Sequence, residues 1–246
     1  NGIISTLHDF GTKSVSDIEK DLKRFSKERK MELILPSLYS ELEGDALPNI
    51  VNEISKTNYL DHVIIGLDKA NKKQAQHAWK FFKKLNIPFT ILWNDGPKLK
   101  KLNDELKKKD LAPSQYGKGR NVWYCLGMCI ARDEARSVAL HDCDIKTYDR
   151  RMLAKLFYPV VNPLFNFEFC KGYYPRVAQN KMGGRVARLL VFPLITALEK
   201  TIGKSDYLEF MKSFKYPLAG EFSFRRNVLP ELRISSDWGI EVGILS

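Results

Sequence analysis

The sequence predicts an α/β fold with a mixed, mostly parallel sheet flanked by helices. Three observations carry this. Short apolar, β-branched runs alternate with stretches of helical periodicity through the first 148 residues, the pattern of successive βαβ units. Ser37, Asp68, Asn94 and Asp142 all lie at the ends of strand-like runs, where open sheets receive their ligands. Right-handed crossovers place those ends on one rim, so the four can line one crevice.

The elements follow in order. Residues 1–30 are expected to form a helical extension. Met31 to Leu35 reads as a first strand ending at Pro36. Ala46 to Ile54 carries helix-spaced apolar residues behind Asp45, a candidate N-cap. His62 to Leu67 is a β-branched second strand, and Asn71 to Leu85 a helix. Pro88 to Trp93 is a third strand, closed by the turn Asn94-Asp95-Gly96-Pro97. Lys98 to Asp110 holds six lysines, but Leu99, Leu102 and Leu106 recur at helical spacing, so a solvated helix face is expected. A loop at Ala112 to Gly119 leads to a helix from Arg120 to Arg132. The buried run Ser137 to Leu140 then delivers His141-Asp142-Cys143-Asp144. After Tyr148 only two elements stand out: a strand at Phe167 to Gly172 and an apolar helix at Val186 to Leu198.

Composition bounds the function. The chain has 246 residues, 44% hydrophobic and 28% charged, enough for a substantial core. No apolar stretch approaches the roughly 20 residues that span a bilayer, so no membrane partner is expected. Cys125, Cys129, Cys143 and Cys170 form no CxxC pair, as expected of reduced thiols in a cytoplasmic protein. The net charge of +11 suits an anionic partner. Aromatic RNP strands and zinc-finger spacings are absent, and no nucleic acid is expected. The chain begins at Asn1 without Met and stops in the apolar run Gly243-Ile244-Leu245-Ser246, so a fragment of a longer protein is expected.

Five segments carry chemistry. Asp142 and Asp144, one residue apart at a strand end, can hold a hard divalent cation, Mg²⁺ or Mn²⁺. The same pattern also suits a solvated loop. Gly117-Lys118-Gly119 opens a helix, where glycines admit close approach and the N-terminus favours an anion. Gly183-Gly184-Arg185 repeats that design, with Arg176 nearby in sequence. Glu221 and Glu241 each sit among apolar residues and glycines, where a carboxylate needs a ligand or a basic partner. His62 and His141 are expected to be hydrogen-bonded structural histidines, and Cys125 with Cys129 core residues.

Taken in order, these pieces resemble a known family. Pro36-Ser37-Leu38-Tyr39-Ser40-Glu41 resembles the Pro-x-x-Asn-Glu-Glu opening of family-2-like glycosyltransferases, with Tyr for Asn and Ser for the first Glu. Gly117-Lys118-Gly119 and Asp142-Cys143-Asp144 match the next two landmarks. Gly183-Gly184-Arg185-Val186 with Pro193-Leu194, Pro217-Leu218-Ala219-Gly220-Glu221 and Gly239-Ile240-Glu241-Val242-Gly243 resemble glucosyl-3-phosphoglycerate synthases.

The resemblance implies a GT-A-type, Rossmann-like fold. It implies glucose transfer from a nucleotide sugar, UDP-glucose favoured, to 3-phosphoglycerate, a small phosphorylated acid, with retention of configuration. Residues 31–148 would form the nucleotide-sugar-binding half and 149–246 the acceptor-binding half. Pro36, Ser37, Leu38, Glu41, Asp68, Lys118, Asp142, Cys143 and Asp144 would line the donor nucleotide. Asp144 would bind the metal with Asp142 beside it, joined by a histidine expected beyond residue 246. Gly184, Arg185, Val186 and Ala187 would hold the acceptor phosphate, Ala187 standing where the family usually has Thr. Leu218 and Glu241 would face the donor sugar as the catalytic pair. A homodimer is expected of the full-length protein. Transfer of another sugar or to glycerate, and a basic RNA-binding module, remain as alternatives.

Overall fold

The computed structural model describes residues 4–11, 13–174, 177–178, 181–182 and 184–245. Helix α1 (Val15–Phe25) starts where Ser14 accepts a hydrogen bond from the Asp17 amide. Strands β1 (Met31–Leu38), β2 (His62–Asp68) and β3 (Phe89–Trp93) follow, linked by α2 (Ala46–Ser55) and α3 (Lys72–Phe82). Helices α4 (Pro97–Lys107) and α5 (Lys118–Arg132) lead to β4 (Ser137–Leu140). Then come α6 (Arg150–Val161), β5 (Phe169–Lys171) and the two-residue strands β6 (Val177–Ala178) and β7 (Lys181–Met182). A π-helical turn at Ala187–Val191 runs into α7 (Phe192–Ile202), followed by α8 (Asp206–Ser213), β8 (Phe222–Arg225) and α9 (Ile240–Gly243).

The main sheet has the order β3-β2-β1-β4-β8-β5. The first four strands are parallel, and β8 runs antiparallel to both β4 and β5. The chain steps outward from β1 to β3 and then returns to place β4 on the other side of β1. That reversal opens a crevice beyond the ends of β1 and β4, the usual ligand position in such sheets. Side chains alternate across the sheet. Leu33, Leu35, Val63 and Ile65 pack with α1, α2 and α6 on one face. Ile34 and Ile64 pack with Val122, Cys125 and Leu126 of α5 on the other. Strand β8, from the segment expected to form the acceptor-side half, is hydrogen-bonded to β4, and Leu153 and Phe157 of α6 join the first core.

Several expectations are corrected. Strand β1 runs through Pro36 to Leu38 instead of stopping. Ile34 O accepts from His141 N on the β4 side, and the Pro36 nitrogen points to that side past the end of β4, so no ladder bond is lost. Asp45 is helical in backbone and makes no side-chain cap. Helix α5 begins at Lys118, two residues earlier than expected. Elements α6, α8 and β8 were not anticipated. Pro159 within α6 and the brevity of β8 obscure both periodicities. Helix α4 buries no residue, in keeping with a solvated lysine face.

Candidate functional site

The crevice at the ends of β1 and β4 holds a three-part charge cluster. Lys118 Nζ lies 2.6 Å from Asp142 Oδ1 and 2.7 Å from Glu241 Oε1. The three residues come from the start of α5, the end of β4 and α9. Burial opposes the Lys118 charge, but the two carboxylates more than offset it and hold its pKa above the ordinary lysine value. Gly220 closes the far side of Asp142: a β-carbon there would stand 2.2 Å from Asp142 Oδ2. The Leu218 loop is therefore pressed against the Asp142 carboxylate, with Leu218 itself partly exposed.

The glycines around Lys118 serve a different purpose from the one expected. The amides of Gly119 and Arg120 donate to the carbonyls of Asp237 and Ser236, at 3.1 and 2.7 Å. A β-carbon on Gly119 would meet Ser235 O at 1.6 Å. These first-turn amides are thus taken by the chain itself, not offered to a phosphate. Their role is to dock residues 235–237, which delivers Glu241 to Lys118. Distance in sequence hides this pairing, although the two Gly-rich stretches signal two close approaches.

On the donor side, Pro36 and Ser37 are buried at the end of β1, and Leu38 is exposed. Glu41 Oε2 accepts from the Leu38 amide at 2.9 Å and so caps the turn that follows β1. Burial raises its pKa, hydrogen bonds from Leu38 and Ser37 counter this, and Asp144 and Asp142 repel its charge. Asp68 is buried at the end of β2 and accepts from Asn94 Nδ2 at 3.0 Å and from the Arg120 guanidinium at 3.1 Å. Burial raises its pKa against both partners. Arg120, not singled out from sequence, also stacks on Tyr116, 3.9 Å from the ring centre. A cleft of about 180 Å³ beside them is lined by Asn94, Lys100, Tyr116 and Tyr124.

The metal loop divides its residues. Asp144 is exposed, whereas the Cys143 side chain is buried in the core. Any contact Cys143 makes with a ligand must therefore come through its backbone. His141 is fully buried against Tyr148, and burial lowers its pKa to about 3. Among the described residues neither of its ring nitrogens has a partner, so the expected hydrogen bond is not found there. His62 does make one, between Nε2 and Thr90 Oγ1 at 2.9 Å. Cys125 and Cys129 are buried core residues. Among the described residues no three His, Cys, Asp or Glu gather around a common point. The donor set still fits Mg²⁺ or Mn²⁺, because such ions are held by one or two carboxylates together with substrate phosphates. Asp144 is open to do so, while one oxygen of Asp142 is committed to Lys118.

In the second segment, Arg185 and Val186 are exposed at the start of the helical stretch, and Ala187 is buried. Gly184 adopts φ +73°, which favours glycine. No hydrogen bond or ion pair joins Arg185 to the Lys118 cluster among the described residues. Gly183 and Arg176 lie outside the described residues. Glu221 is buried and accepts from Tyr174 OH at 2.6 Å. Lys171, also missed from sequence, donates from Nζ to the backbone carbonyl of Glu241 at 3.0 Å. Burial lowers its pKa to about 8.

No family model matches the chain. A glucosyl-3-phosphoglycerate synthase from Persephonella marina is 43% identical over 246 residues, covering 100% of this chain and 61% of its own length. One from Methanococcoides burtonii is 38% identical, covering 99% and 60%. The chain is a homologue of the glucosyl-3-phosphoglycerate synthases. It spans about three-fifths of the length of these curated relatives. The fold agrees. A glucosyl-3-phosphoglycerate synthase from Mycobacterium tuberculosis, solved with Mn²⁺ and UDP-glucose, matches at TM-score 0.62 and 20% identity, over 92% of this chain and 67% of its own. The same enzyme with Mn²⁺, UDP and phosphoglyceric acid matches at TM-score 0.61 and 21% identity, over 92% and 66%. The sheet and its flanking helices are therefore of the GT-A type.

Proposed function

We propose that the protein carrying this chain transfers glucose from UDP-glucose to 3-phosphoglycerate with retention of configuration. The observation that carries the proposal is the meeting of Lys118, Asp142 and Glu241 at the β1/β4 crevice of a chain homologous to those synthases. In this reading Pro36, Ser37, Leu38, Glu41 and Asp68 flank the nucleoside, and Cys143 contributes backbone only. Asp144, with Asp142 beside it, holds Mg²⁺ or Mn²⁺. When bound, the metal neutralises charge on the leaving diphosphate.

Lys118 adds a fixed positive charge at the same place, already organised before the reaction. Its two carboxylate partners keep it protonated. Glu241 and Leu218 face the sugar, and Glu241 can accept from sugar hydroxyls with the oxygen that Lys118 does not hold. Residues 235–237, clamped to α5, keep Glu241 in place and help exclude water. Gly184, Arg185, Val186 and Ala187 receive the acceptor phosphate, with the Arg185 guanidinium making a charge-assisted contact. The partners are thus a nucleotide sugar and a small phosphorylated acid. We further infer a cytoplasmic homodimer for the full-length protein.

The test is product formation by the full-length protein from UDP-glucose, 3-phosphoglycerate and Mn²⁺. Glucosyl-3-phosphoglycerate with an unchanged anomeric configuration is expected. Transfer only to glycerate, or only from another nucleotide sugar, refutes the acceptor or donor assignment. Stabilisation by RNA in place of UDP and metal refutes the class.

A further inference from the structure

The opposite rim of the sheet carries a second charged cleft. It lies where β4 begins and β8 ends, so the length of β4, roughly 13 Å at about 3.3 Å per residue, separates it from the Asp142 rim. Its volume is about 420 Å³, and its walls include Arg29, Arg136, Arg225, Arg226, Glu28 and Asn227. That size suits a small-molecule site.

The charges in the walls are poorly compensated. Arg226 pairs with Asp133. The other three arginines have no carboxylate partner among the described residues. Arg225 is held rigidly by neutral groups: Nε donates to Val160 O, one terminal nitrogen to Asn166 Oδ1 and the other to Phe165 O. Among the described residues Arg29 donates once, to Val161 O at 3.0 Å. Arg136 is exposed, and its guanidinium makes no hydrogen bond or ion pair with a described residue. The Arg226 Nε is buried and lacks a partner among the described residues. Glu28 is the one carboxylate in the walls and Glu168 stands behind Asn227, so three guanidinium groups without a carboxylate partner among the described residues leave an excess of positive charge. Planar forks of this kind match phosphate oxygens in pairs.

We propose that this cleft binds a small ligand bearing two or more phosphate groups, at a site separate from the Lys118 crevice. A diphosphate offers several oxygens, enough to take donors from Arg29, Arg136 and the fixed Arg225 together. The proposal does not rest on the transferase reading.

Calorimetric titration of the 246-residue chain with pyrophosphate in metal-free buffer tests it. The expected result is saturable binding of about one pyrophosphate per chain, weakened roughly tenfold or more by Arg136→Ala and restored in part by Arg136→Lys. Arg136 is exposed, so these variants should fold normally; Arg29→Ala provides a second, independent weakening. Lys118→Met, which alters the other site, should leave this affinity within about twofold. Absence of saturable binding up to about 10 mM overturns the proposal, as does equal affinity in wild type and Arg136→Ala. Loss of binding in Lys118→Met with none in Arg136→Ala assigns the anion to the crevice and overturns it too.

Discussion

Replacing Lys118 by methionine keeps most of the apolar stem and removes one charge from the middle of the crevice. Wild-type Lys118 is 23% exposed, and its partners Asp142 and Glu241 are 27% and 18% exposed. Deleting one member of a fully buried ion pair costs about 3–5 kcal/mol, because the partner charge is left stranded. All three groups here retain some contact with water, which screens the loss. Two carboxylates are stranded rather than one, which works the other way. A net cost of about 2–3 kcal/mol follows. In a chain of this size each kcal/mol lowers the melting temperature by roughly 2–4 °C, so a fall of about 4–12 °C is expected at neutral pH.

The pH dependence has a definite sign. The folded Lys118 pKa is raised, so its stabilisation is complete below the ordinary lysine value near 10.4 and is lost only as pH rises through the higher folded value. The gap between wild type and variant should therefore hold steady from pH 7 to about 10 and close above it. Scanning calorimetry or circular dichroism on both proteins gives the answer. A gap under about 1 °C at pH 7, or one erased by about 1 M salt, would refute the reasoning by showing a solvated surface pair.

Further outcomes are expected elsewhere. Gly119→Ala drives a methyl into Ser235 O and should destabilise by about 1–3 kcal/mol or more through ejection of residues 235–237, whereas Gly127→Ala meets nothing within 4 Å and should stabilise α5 by roughly 0.5–1 kcal/mol; thermal melts of the pair check both. Burial keeps His62 neutral down to about pH 4, while the unfolded chain protonates it near 6.5. Stability should thus fall as pH drops through that window, and His62→Gln should flatten the acid limb of a urea-denaturation series by up to about 1.4 kcal/mol per pH unit. Under the proposed function, Asp144→Ala should abolish the enhancement of UDP affinity by Mg²⁺ or Mn²⁺ in calorimetry; equal enhancement in both proteins would remove Asp144 from the metal site. Arg185→Ala should raise the acceptor KM roughly tenfold to a hundredfold with donor affinity intact, as expected for loss of one charged hydrogen bond.

Much was legible in the sequence because its signals are local. The parallel strands β1 to β4 announce themselves as apolar, β-branched runs, and their ends identify one rim, at which Ser37, Asp68, Asn94 and Asp142 all lie. Periodicity and propensity act over a few residues, so they survive without knowledge of the rest of the chain. Elements with weak or interrupted local signals escaped: α6 carries Pro159, and β8 has four residues. Only the tertiary structure decided the partners. Lys118 meets Glu241 across 123 residues and Asp68 meets Arg120 across 52, pairings that depend on sheet order and on the docking of residues 235–237. The same physics reversed the reading of Gly119. A glycine permits close approach by anything, and the sequence alone shows the permission without showing that the visitor is the chain's own backbone.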